Sequence, residues 1–320
     1  MEGKFQSMPN NGIWINKPSN MNCGRGIRLI SDIKQFKAEY FAIKKSGLLN
    51  PSSLKLQKQT SNFRRSSLIN PRKSVSIEKD AKPRERRNSI EHDNSNKFIK
   101  ISIIQRYLEN PLLLEGKKFD IRCYLLIAST KPMLAYFHHG YLRLSMHDYN
   151  LENIDEPEGR YTHLTNASVQ KKHPSFQAEK EKTIWDMNKF ESYATEKYSK
   201  TPEDFKILYD QIKRILAYVL KCGEKKLIKR KGMFDLMGID ILLDENFKPY
   251  LLEMNMNPAI FTDTTTQTNI IPKVIHTALD LILDLQCPTK NLEQMCQNED
   301  KLPKGEFQLI RNEATNFSFE

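Results

Sequence analysis

Carboxylate and amide side chains close an apolar run late in the sequence. Glu253 and Asn255 lie in YLLEMN, and Asp240 lies in the preceding run GIDILLD. The polar ENFK between the two runs predicts a β-hairpin, and a turn at the middle of ENFK places Asp240 opposite Glu253. Alternation along a strand then puts Leu251, Glu253 and Asn255 on one face. Adjacent carboxylates repel one another unless a cation lies between them.

This set of oxygen atoms suits a hard cation. Asp, Glu and Asn side chains are ligands of Mg²⁺, and magnesium in proteins commonly also holds phosphate groups. The pattern therefore predicts a magnesium site formed by Asp240, Glu253 and Asn255. A solvated strand end with ordinary charges is the alternative that the spacing leaves open.

Phosphate-binding groups are expected if a nucleotide accompanies the metal. Asn22 to Ile27 form the short glycine loop NCGRGI, in which Gly24 and Gly26 let backbone N–H groups approach an anion. Lys17 lies just before this loop. Because G-x-G strings are common, a plain turn is the alternative interpretation.

A second set of charges follows in KFDIR. Alternation places Lys118, Asp120 and Arg122 on one face of a strand, and Arg143 lies in the next predicted strand, in YLRL. Three cations facing two carboxylates provide the charge neutralisation and alignment that phosphoryl transfer needs. Taken singly, each of these residues could be an ordinary surface charge.

The elements that must position these residues are mixed. Strand patterns occur in GIWIN, FIKISIIQRYL, FDIRCYLLIAS, MLAYFHHGYLRLSM, MFDLMGIDILLD and PYLLEMN. Helical spacing occurs in LISDIKQFKAEYFAI, through most of residues 176–223, and in VIHTALDLILDLQ. The sequence therefore predicts an α+β protein with mainly antiparallel pairing.

Residues 46–96 differ from the rest of the chain. Between residues 51 and 96 there are eleven Lys or Arg and five Asp or Glu, so this segment holds much of the net charge of +11. Its few large apolar residues predict a disordered insert. RRSSL and RRNSI within it make Ser67 and Ser89 candidate sites for a basophilic kinase. Ordinary basic low complexity is the alternative.

Composition excludes several classes of protein. The five cysteines form no C-x-x-C pair, which favours reduced thiols, and the first residues contain no apolar stretch typical of a signal peptide. No apolar run is long enough to span a membrane. The basic balance indicates an acidic partner. Nucleic acid is disfavoured, because no aromatic residues interleave a basic sheet and no recognition motif is present.

Six strings in this order resemble the tubulin–tyrosine ligase-like family. They are WINKP (14–18), GRGI (24–27), QRYLENPLLLEGKKFDIRCYLL (105–126), YLRL (141–144), HLTN (163–166) and GIDILLDENFKPYLLEMNMNP (238–258). The resemblance runs from Trp14 to about Leu285, with the insert left out, and is closest to the protein polyglycylase branch.

This resemblance implies an ATP-grasp fold, with ATP and Mg²⁺ between two lobes, and a ligase that joins an amino acid to a protein carboxylate through an acyl phosphate. The implied site follows the matching strings. Lys17 and Lys118 would bind phosphates, the adenine side would be lined by Gln105, Arg106, Tyr107 and Leu108, and Asp120 would lie near the ribose. Arg122 and Arg143 would hold the transferring phosphate and the acyl intermediate. Thr165 and Asn166 would line the acceptor or ribose side, and magnesium would be bound by Asp240, Glu253 and Asn255.

The amino acid to be added is predicted from HLTNASVQKKHP. Glutamate-adding relatives usually have Tyr where this chain has Ala167 and Asn where it has Gln170, so the resemblance favours glycine. The expected acceptors are tubulin C-terminal tails or another acidic protein, in the cytoplasm, at the cytoskeleton, or in a cilium or axoneme. A polyglutamylase of the same fold is the first alternative. KFDIR and HLTN argue against a small-molecule acceptor.

The domain arrangement departs from the family pattern. We expect residues 1–45 to start the nucleotide-covering lobe, 46–96 to be the insert, 97–286 to form the catalytic core and 287–320 to be a weakly ordered tail. Family members carry a longer region before W-I-x-K-P, so the lobe that opens the fold is expected to be missing. A catalytically impaired microtubule-binding protein or fragment is therefore the alternative of another class.

Overall fold

The computed structural model describes residues 11–18, 24, 26–45, 102–152, 154, 156–286, 291–303 and 305–319. Most of the predicted glycine loop and the whole predicted insert, with Ser67 and Ser89, lie outside these residues. The described part is α+β, and the strand pairings in both of its sheets are antiparallel, as predicted. None of its helices is long and apolar enough to cross a membrane.

The strands of the described part follow one another along the chain. They are β1 (Trp14–Pro18), β2 (Arg28–Ile30), β3 (Ser102–Arg106), β4 (Leu113–Leu114), β5 (Lys117–Thr130), β6 (Met133–Asp148), β7 (Ile184–Asp186), β8 (Asp235–Leu243), β9 (Pro249–Asn255), β10 (Gln308–Asn312) and β11 (Phe317–Ser318).

The helices of the same residues lie between and after these strands. They are α1 (Ile33–Lys45), α2 (Arg160–His163), α3 (Ala167–Gln170), α4 (Phe176–Glu179), α5 (Met187–Tyr198), α6 (Pro202–Gly223), α7 (Thr265–Gln286) and α8 (Leu292–Cys296). Single 3₁₀ turns occupy Pro157–Gly159, Lys180–Thr183, Glu224–Lys226 and Glu299–Lys301.

A small sheet carries the beginning of the site. Its strand order is β2-β1-β3, and Gln105 and Arg106 of β3 pair with Ile15 and Trp14 of β1. The predicted boundary at residue 97 assigned β3 to the core, but β3 pairs with the first lobe. The chain therefore crosses from the small sheet to the large one directly after β3, at Tyr107 and Leu108.

The large sheet has eight strands, six of them in the order β11-β10-β6-β5-β8-β9, with β4 paired to β5 and β7 paired to β6. Odd residues of β5, such as Ile121 and Leu125, face a core closed by α5 and α6. Even residues toward its end, such as Leu126, face a second core closed by α7. Lys118, Asp120 and Arg122 are even residues at the start of the same strand, so they lie beside the second core.

Helix α6 illustrates how the sequence determines an element that supports the sheet. Thr201 and Asp204 form a reciprocal capping box at its start, and Pro202 occupies the first turn, where its missing N–H is harmless. The apolar residues at helical spacing are buried against the large sheet, including Phe205, Leu208 and Leu216. Their burial fixes one face of the sheet and leaves the opposite face for the site.

The hairpin of β8 and β9 pairs Asp240 with Glu253 and Gly238 with Asn255, as predicted. Nearer the turn the register differs by one residue from the predicted one, since Ile241 pairs with Leu251, and the turn is therefore centred half a residue earlier. A β-bulge at Leu252 adds the extra residue that returns the strands to the predicted register at Asp240 and Glu253. The prediction that Leu251 shares a face with Glu253 is wrong. Leu251 packs into the core under α5 and α6, on the face opposite Asp240.

The last thirty residues were predicted to be weakly ordered, and this prediction is wrong for much of them. β10 pairs with β6 and β11 pairs with β10, so the C-terminal segment extends the large sheet. Ile310 is fully buried, and the side-chain amide of Asn312 donates to the Cys296 carbonyl at 2.8 Å. The strand is short, and Leu309 and Ile310 are its only apolar residues, so it contains no apolar run or alternation that would predict a strand.

Gly140 forms a bulge in β6 that no other residue type fits. Its φ is +71°, and a Cβ there would lie 1.8 Å from the carbonyl oxygen of Arg122. We expect Gly140→Ala to lower the free energy of unfolding by roughly 1–3 kcal/mol or more, because both the backbone conformation and the contact become strained. Urea midpoints measure this effect.

Gly223→Ala is the matched control for this substitution. Gly223 ends α6 without a positive φ, and nothing lies within 4 Å of its added Cβ. We expect an unchanged or slightly raised urea midpoint. Equal loss of stability in the two variants would contradict the role of the bulge.

Candidate active site

Four buried charges form the centre of the candidate site, and we call them the buried ion cluster: Asp120, Arg122, Arg143 and Asp240. Nε of Arg122 donates to Oδ1 of Asp240 at 2.6 Å, and Nε and Nη2 of Arg143 donate to the two oxygens of Asp120 at 2.7 Å each. Nη2 of Arg143 also lies 2.7 Å from Oδ2 of Asp240. All four side chains are at most 6% exposed.

Strand register creates this cluster. Arg143 of β6 pairs directly with Asp120 of β5, and Arg122 of β5 pairs directly with Asp240 of β8. Opposite charges therefore stand side by side on three neighbouring strands. Burial opposes ionisation of Asp240, but Arg143 and Arg122 outweigh it and hold its pKa well below the usual value. These bonds hold both guanidinium groups in fixed orientations. Among the described residues, Arg122 donates a hydrogen bond only through its Nε, to Asp240.

Lys118 lies beside the cluster in a chain of polar contacts. Its Nζ donates to the Tyr107 hydroxyl at 2.9 Å and to the His163 carbonyl at 2.8 Å. Because that hydroxyl accepts from Lys118, it is free to donate to Nδ1 of His163, 2.9 Å away. Burial, together with the charge of Lys118, lowers the pKa of His163 to about 4, so its ring is neutral at pH 7.

Lys17 reaches the same region from the small sheet. Its Nζ donates to Oε1 of Gln105 at 2.9 Å. Burial lowers the pKa of Lys17, against the attraction of Glu253 and Asp240, which raises it. Lys17 therefore interacts electrostatically with the two carboxylates of the predicted metal site. Lys17 of the small sheet and these carboxylates of the large sheet thus lie close enough to interact.

Glu253 and Asn255 lie at the open edge of the cluster. Nδ2 of Asn255 donates to Oε1 of Glu253 at 3.1 Å. Loss of hydration raises the pKa of Glu253, and the adjacent Asp240 carboxylate raises it further. Two carboxylates lie in contact, one of them exposed and with a raised pKa, and a divalent cation between them would stabilise this arrangement.

The predicted magnesium ligands therefore fit the ion in part. The hairpin brings together Asp240, Glu253 and Asn255, and their ligand atoms are oxygens, which Mg²⁺ prefers. Both oxygens of Asp240 already accept from arginine, which leaves each with its remaining lone pair. Glu253 is the ligand with the freer carboxylate.

The HLTN segment closes another side of the cluster. The Thr165 hydroxyl donates to Oδ2 of Asp120 at 2.5 Å. Gln170 holds this segment in place: its side-chain amide donates to the carbonyls of Tyr161 and Leu164, and its Oε1 accepts from the Met146 N–H at 3.0 Å. Gln170 is one of the two positions that led us to predict glycine rather than glutamate addition. In the structure it is a buried brace for the loop that carries Thr165.

Of the remaining predicted residues, Gly24 lies against the site, whereas the side chain of Arg106 points away from it. Gly24 lies against the HLTN segment, since a Cβ on it would meet Val169 at 2.9 Å and the Asn166 amide oxygen at 3.7 Å. Gly26 also has a positive φ of +68°. Arg106 does not join the site through its side chain, which lies over the Trp14 ring and near Glu109. Leu108 is half-buried beyond it.

Two residues of the site were not singled out by sequence reasoning. His163 orients Tyr107 and accepts Lys118 on its carbonyl, and its only sequence signal was its place in HLTN. Gln170 was noted only as a marker of specificity. Both act through contacts with segments distant in sequence, and spacing along the chain carries no sign of such contacts.

A comparison with protein families matches the profile described as the Tubulin-tyrosine ligase family to residues 1–294. The chain belongs to the Tubulin-tyrosine ligase family. Members of this family are ATP-dependent ligases, and their α+β fold is ATP-grasp-like, as the sequence predicted. The buried ion cluster and the hairpin oxygens are therefore candidates for the active site of a family ligase.

The relatives of this chain are named for different activities, which include polyglycylation and polyglutamylation, and one is named inactive. The chain is 42% identical over 187 residues to the protein polyglycylase TTLL10 of Mus musculus, covering 57% of this chain and 26% of that protein. It is 34% identical over 288 residues to the inactive polyglycylase TTLL10 of Homo sapiens, covering 88% and 36%. It is 32% identical over 271 residues to the probable tubulin polyglutamylase TTLL9 of Mus musculus, covering 82% and 53%. The chain spans between about a quarter and a half of these relatives' lengths.

Proposed function

We propose that this family member is an ATP-dependent ligase that adds glycine to glutamate side chains of tubulin C-terminal tails, in the cytoplasm or at the cytoskeleton. The observation that carries the proposal is the buried ion cluster, with its two oriented arginines, next to the exposed Glu253 and the half-buried Asn255. Joining an amine to a carboxylate requires activation of the carboxylate, and ATP supplies the phosphoryl group for it. Relatives named polyglycylases support the choice of glycine.

The residues of the chain have distinct parts in this proposal. Asp240, Glu253 and Asn255 would hold Mg²⁺, and Lys17 and Lys118 would bind phosphate oxygens. Arg122 and Arg143 would stabilise the negative charge that develops on the phosphoryl group and on the tetrahedral oxyanion. Because Asp120 and Asp240 fix both guanidinium groups, little reorganisation would be needed as that charge develops.

The backbone from Gln105 to Leu108 would line the adenine side. This segment joins the two sheets, and the Tyr107 N–H donates to the Ile13 carbonyl at 2.9 Å. Thr165 and Asn166 would line the ribose or acceptor side, next to Asp120.

Glycine is also supported by the pairing of a nearby cation. Addition of glutamate requires a group that neutralises the side-chain carboxylate of the incoming amino acid. Lys171, which follows the Gln170 brace, is instead paired with Asp263 and lies over the Phe261 ring. Polyglutamylation is the second candidate, since the relative TTLL9 is named a probable tubulin polyglutamylase and aligns over most of this chain.

Incorporation of radiolabelled glycine and radiolabelled glutamate into purified microtubules, with Mg-ATP, tests the proposal. We expect glycine to be incorporated and Glu253→Gln to lose this activity. Glu245→Gln, on the turn of the same hairpin, is the matched control and should remain active. Incorporation of glutamate alone would establish the second candidate. Incorporation of neither, with nucleotide still bound, would favour a microtubule-binding protein, in keeping with the relative named inactive.

Nucleotide affinity should fall as the pH rises above about 7. Burial, against the attraction of Asp120, lowers the pKa of Lys118 to about 7. A bound phosphate would raise this pKa, so binding takes up a proton wherever Lys118 is neutral in the free protein. We therefore expect affinity to weaken by up to about tenfold per pH unit above the free pKa, and to be independent of Lys118 titration below it. Calorimetric titration with ATP at constant Mg²⁺ measures the slope.

Lys118→Met separates this effect from other titrations. The variant should bind more weakly at pH 7, and its affinity should converge with that of the wild type as the pH rises. A slope that persists unchanged in Lys118→Met would exclude Lys118 as the titrating group.

A further inference from the structure

A second cluster of possible metal ligands lies outside the buried ion cluster. It consists of His147, Glu158 and His173, and one ligand atom from each lies within 4.8 Å of the others. His147 is the penultimate residue of β6, Glu158 lies in the 3₁₀ turn Pro157–Gly159, and His173 follows α3. We propose that these three residues bind a divalent transition-metal ion of the zinc type.

The geometry of the two imidazoles fits such an ion. Their Nε2 atoms are 2.9 Å apart, and the ring planes are nearly perpendicular, at 88°. Two nitrogen ligands of tetrahedral zinc, each about 2.0–2.1 Å from the metal, lie about 3.3 Å apart, so a small separation of the rings admits the ion. Tyr161 packs against both rings, with centroid distances of 5.7 and 4.9 Å, which limits their other orientations.

The surroundings allow an ion to enter from solvent. Glu158 is exposed and both histidines are half-buried. The nearby Lys117 is paired with Asp148 at 2.8 Å, which offsets its charge. With three protein ligands, water would complete a tetrahedral site.

One contact has to change when the ion binds. The Ser175 N–H donates to Nδ1 of His173 at 3.2 Å, which places the proton of the neutral ring on Nε2, facing His147. A His173 that ligates through Nε2 carries its proton on Nδ1 instead. Ser175 is exposed, so its amide can donate to water after this exchange. The alternative to a metal site is thus a simple hydrogen bond between the histidines.

The position of the site gives the ion a structural role. The ligands join the end of β6 to both ends of the segment 158–173, which carries His163, Thr165 and the Gln170 brace. A bound ion would hold this segment on the sheet, beside the buried ion cluster but through different residues. The proposal is therefore independent of the proposed ligase reaction.

Calorimetric titration of the full chain with Zn²⁺ at pH 7.5, in a Cys222→Ser background that removes an exposed thiol, tests the proposal. We expect one ion per chain and a raised melting temperature. His147→Ala and His173→Ala should each weaken binding by at least about tenfold, and binding should weaken as the pH falls and the histidines protonate. Binding by Co²⁺ with a tetrahedral absorption spectrum would identify the ligand geometry.

Two controls keep the result specific. His276→Ala changes an exposed histidine on α7, and Glu253→Gln changes the predicted magnesium site; both should leave Zn²⁺ affinity unchanged. Absence of saturable Zn²⁺ binding, or binding lost in Glu253→Gln and kept in His173→Ala, would overturn the proposal. In the first case the two histidines form a hydrogen bond only.

Discussion

Arg143→Met should lower the free energy of unfolding by about 3–5 kcal/mol, because it leaves two buried carboxylates without their shared partner. Arg143 contacts Asp120 through two nitrogens and Asp240 through one, and all three side chains are at most 6% exposed. Met has a similar length and no charge, so the variant removes the ion pairs with little change in packing volume. Urea unfolding followed by circular dichroism measures the loss.

Two further variants test whether the effect comes from unpaired charge. Arg143→Met combined with Asp120→Asn should be less destabilised than the sum of the two single changes, since the double variant buries fewer unpaired charges. Lys206→Met removes an exposed ion pair with Glu203 and should change stability by less than about 1 kcal/mol. A strictly additive double variant would show that packing, and not charge, dominates the effect.

Glu253→Gln should reduce ligation by about 100-fold or more while leaving the fold intact. In the proposed reaction this carboxylate holds Mg²⁺, and loss of a metal ligand removes several kcal/mol of charge stabilisation from the transition state. The side chain is exposed, and its carboxylate lies against Asp240, so a neutral amide relieves repulsion when no metal is present. We therefore expect an unchanged or higher melting temperature without Mg²⁺.

Opposite changes in activity and stability distinguish this role from a structural one. Wild-type protein should be stabilised by Mg²⁺ and ATP together, and Glu253→Gln should lose most of that stabilisation. Glu245→Gln should match the wild type in both measurements. Retention of full activity by Glu253→Gln would remove this residue from the metal site and with it the main support for the hairpin as a catalytic element.

Local pattern predicted much of the fold. β5 contains the apolar run CYLLIA, and β8 ends in the apolar run ILL. Helix α6 carries its cap, its first-turn proline and its buried stripe in a single contiguous string. Alternation also placed Lys118, Asp120 and Arg122 on one face correctly. These features depend on residues close in sequence, where the backbone geometry fixes which side chains share a face.

Features made by distant segments escaped local pattern. The C-terminal β10 gains its stability from pairing with β6, more than 160 residues earlier in the chain. The Leu252 bulge changed the face of Leu251, since a single extra residue reverses the alternation on one side of it. Arg106 was assigned to the nucleotide side by string resemblance, but pairing with Trp14 directs its side chain to the other face of the small sheet.

The sequence by itself determined which residues form the candidate site: the strings KFDIR, YLRL, HLTN, GID and EMN carry its charged and polar side chains, and their order marks the family. The tertiary structure decided how those charges are used. Strand register pairs Arg143 with Asp120 and Arg122 with Asp240, so the arginines are fixed by buried carboxylates, and Glu253 remains at the open edge. The physical reason is that electrostatic partners depend on distances across strands, which chain spacing does not encode.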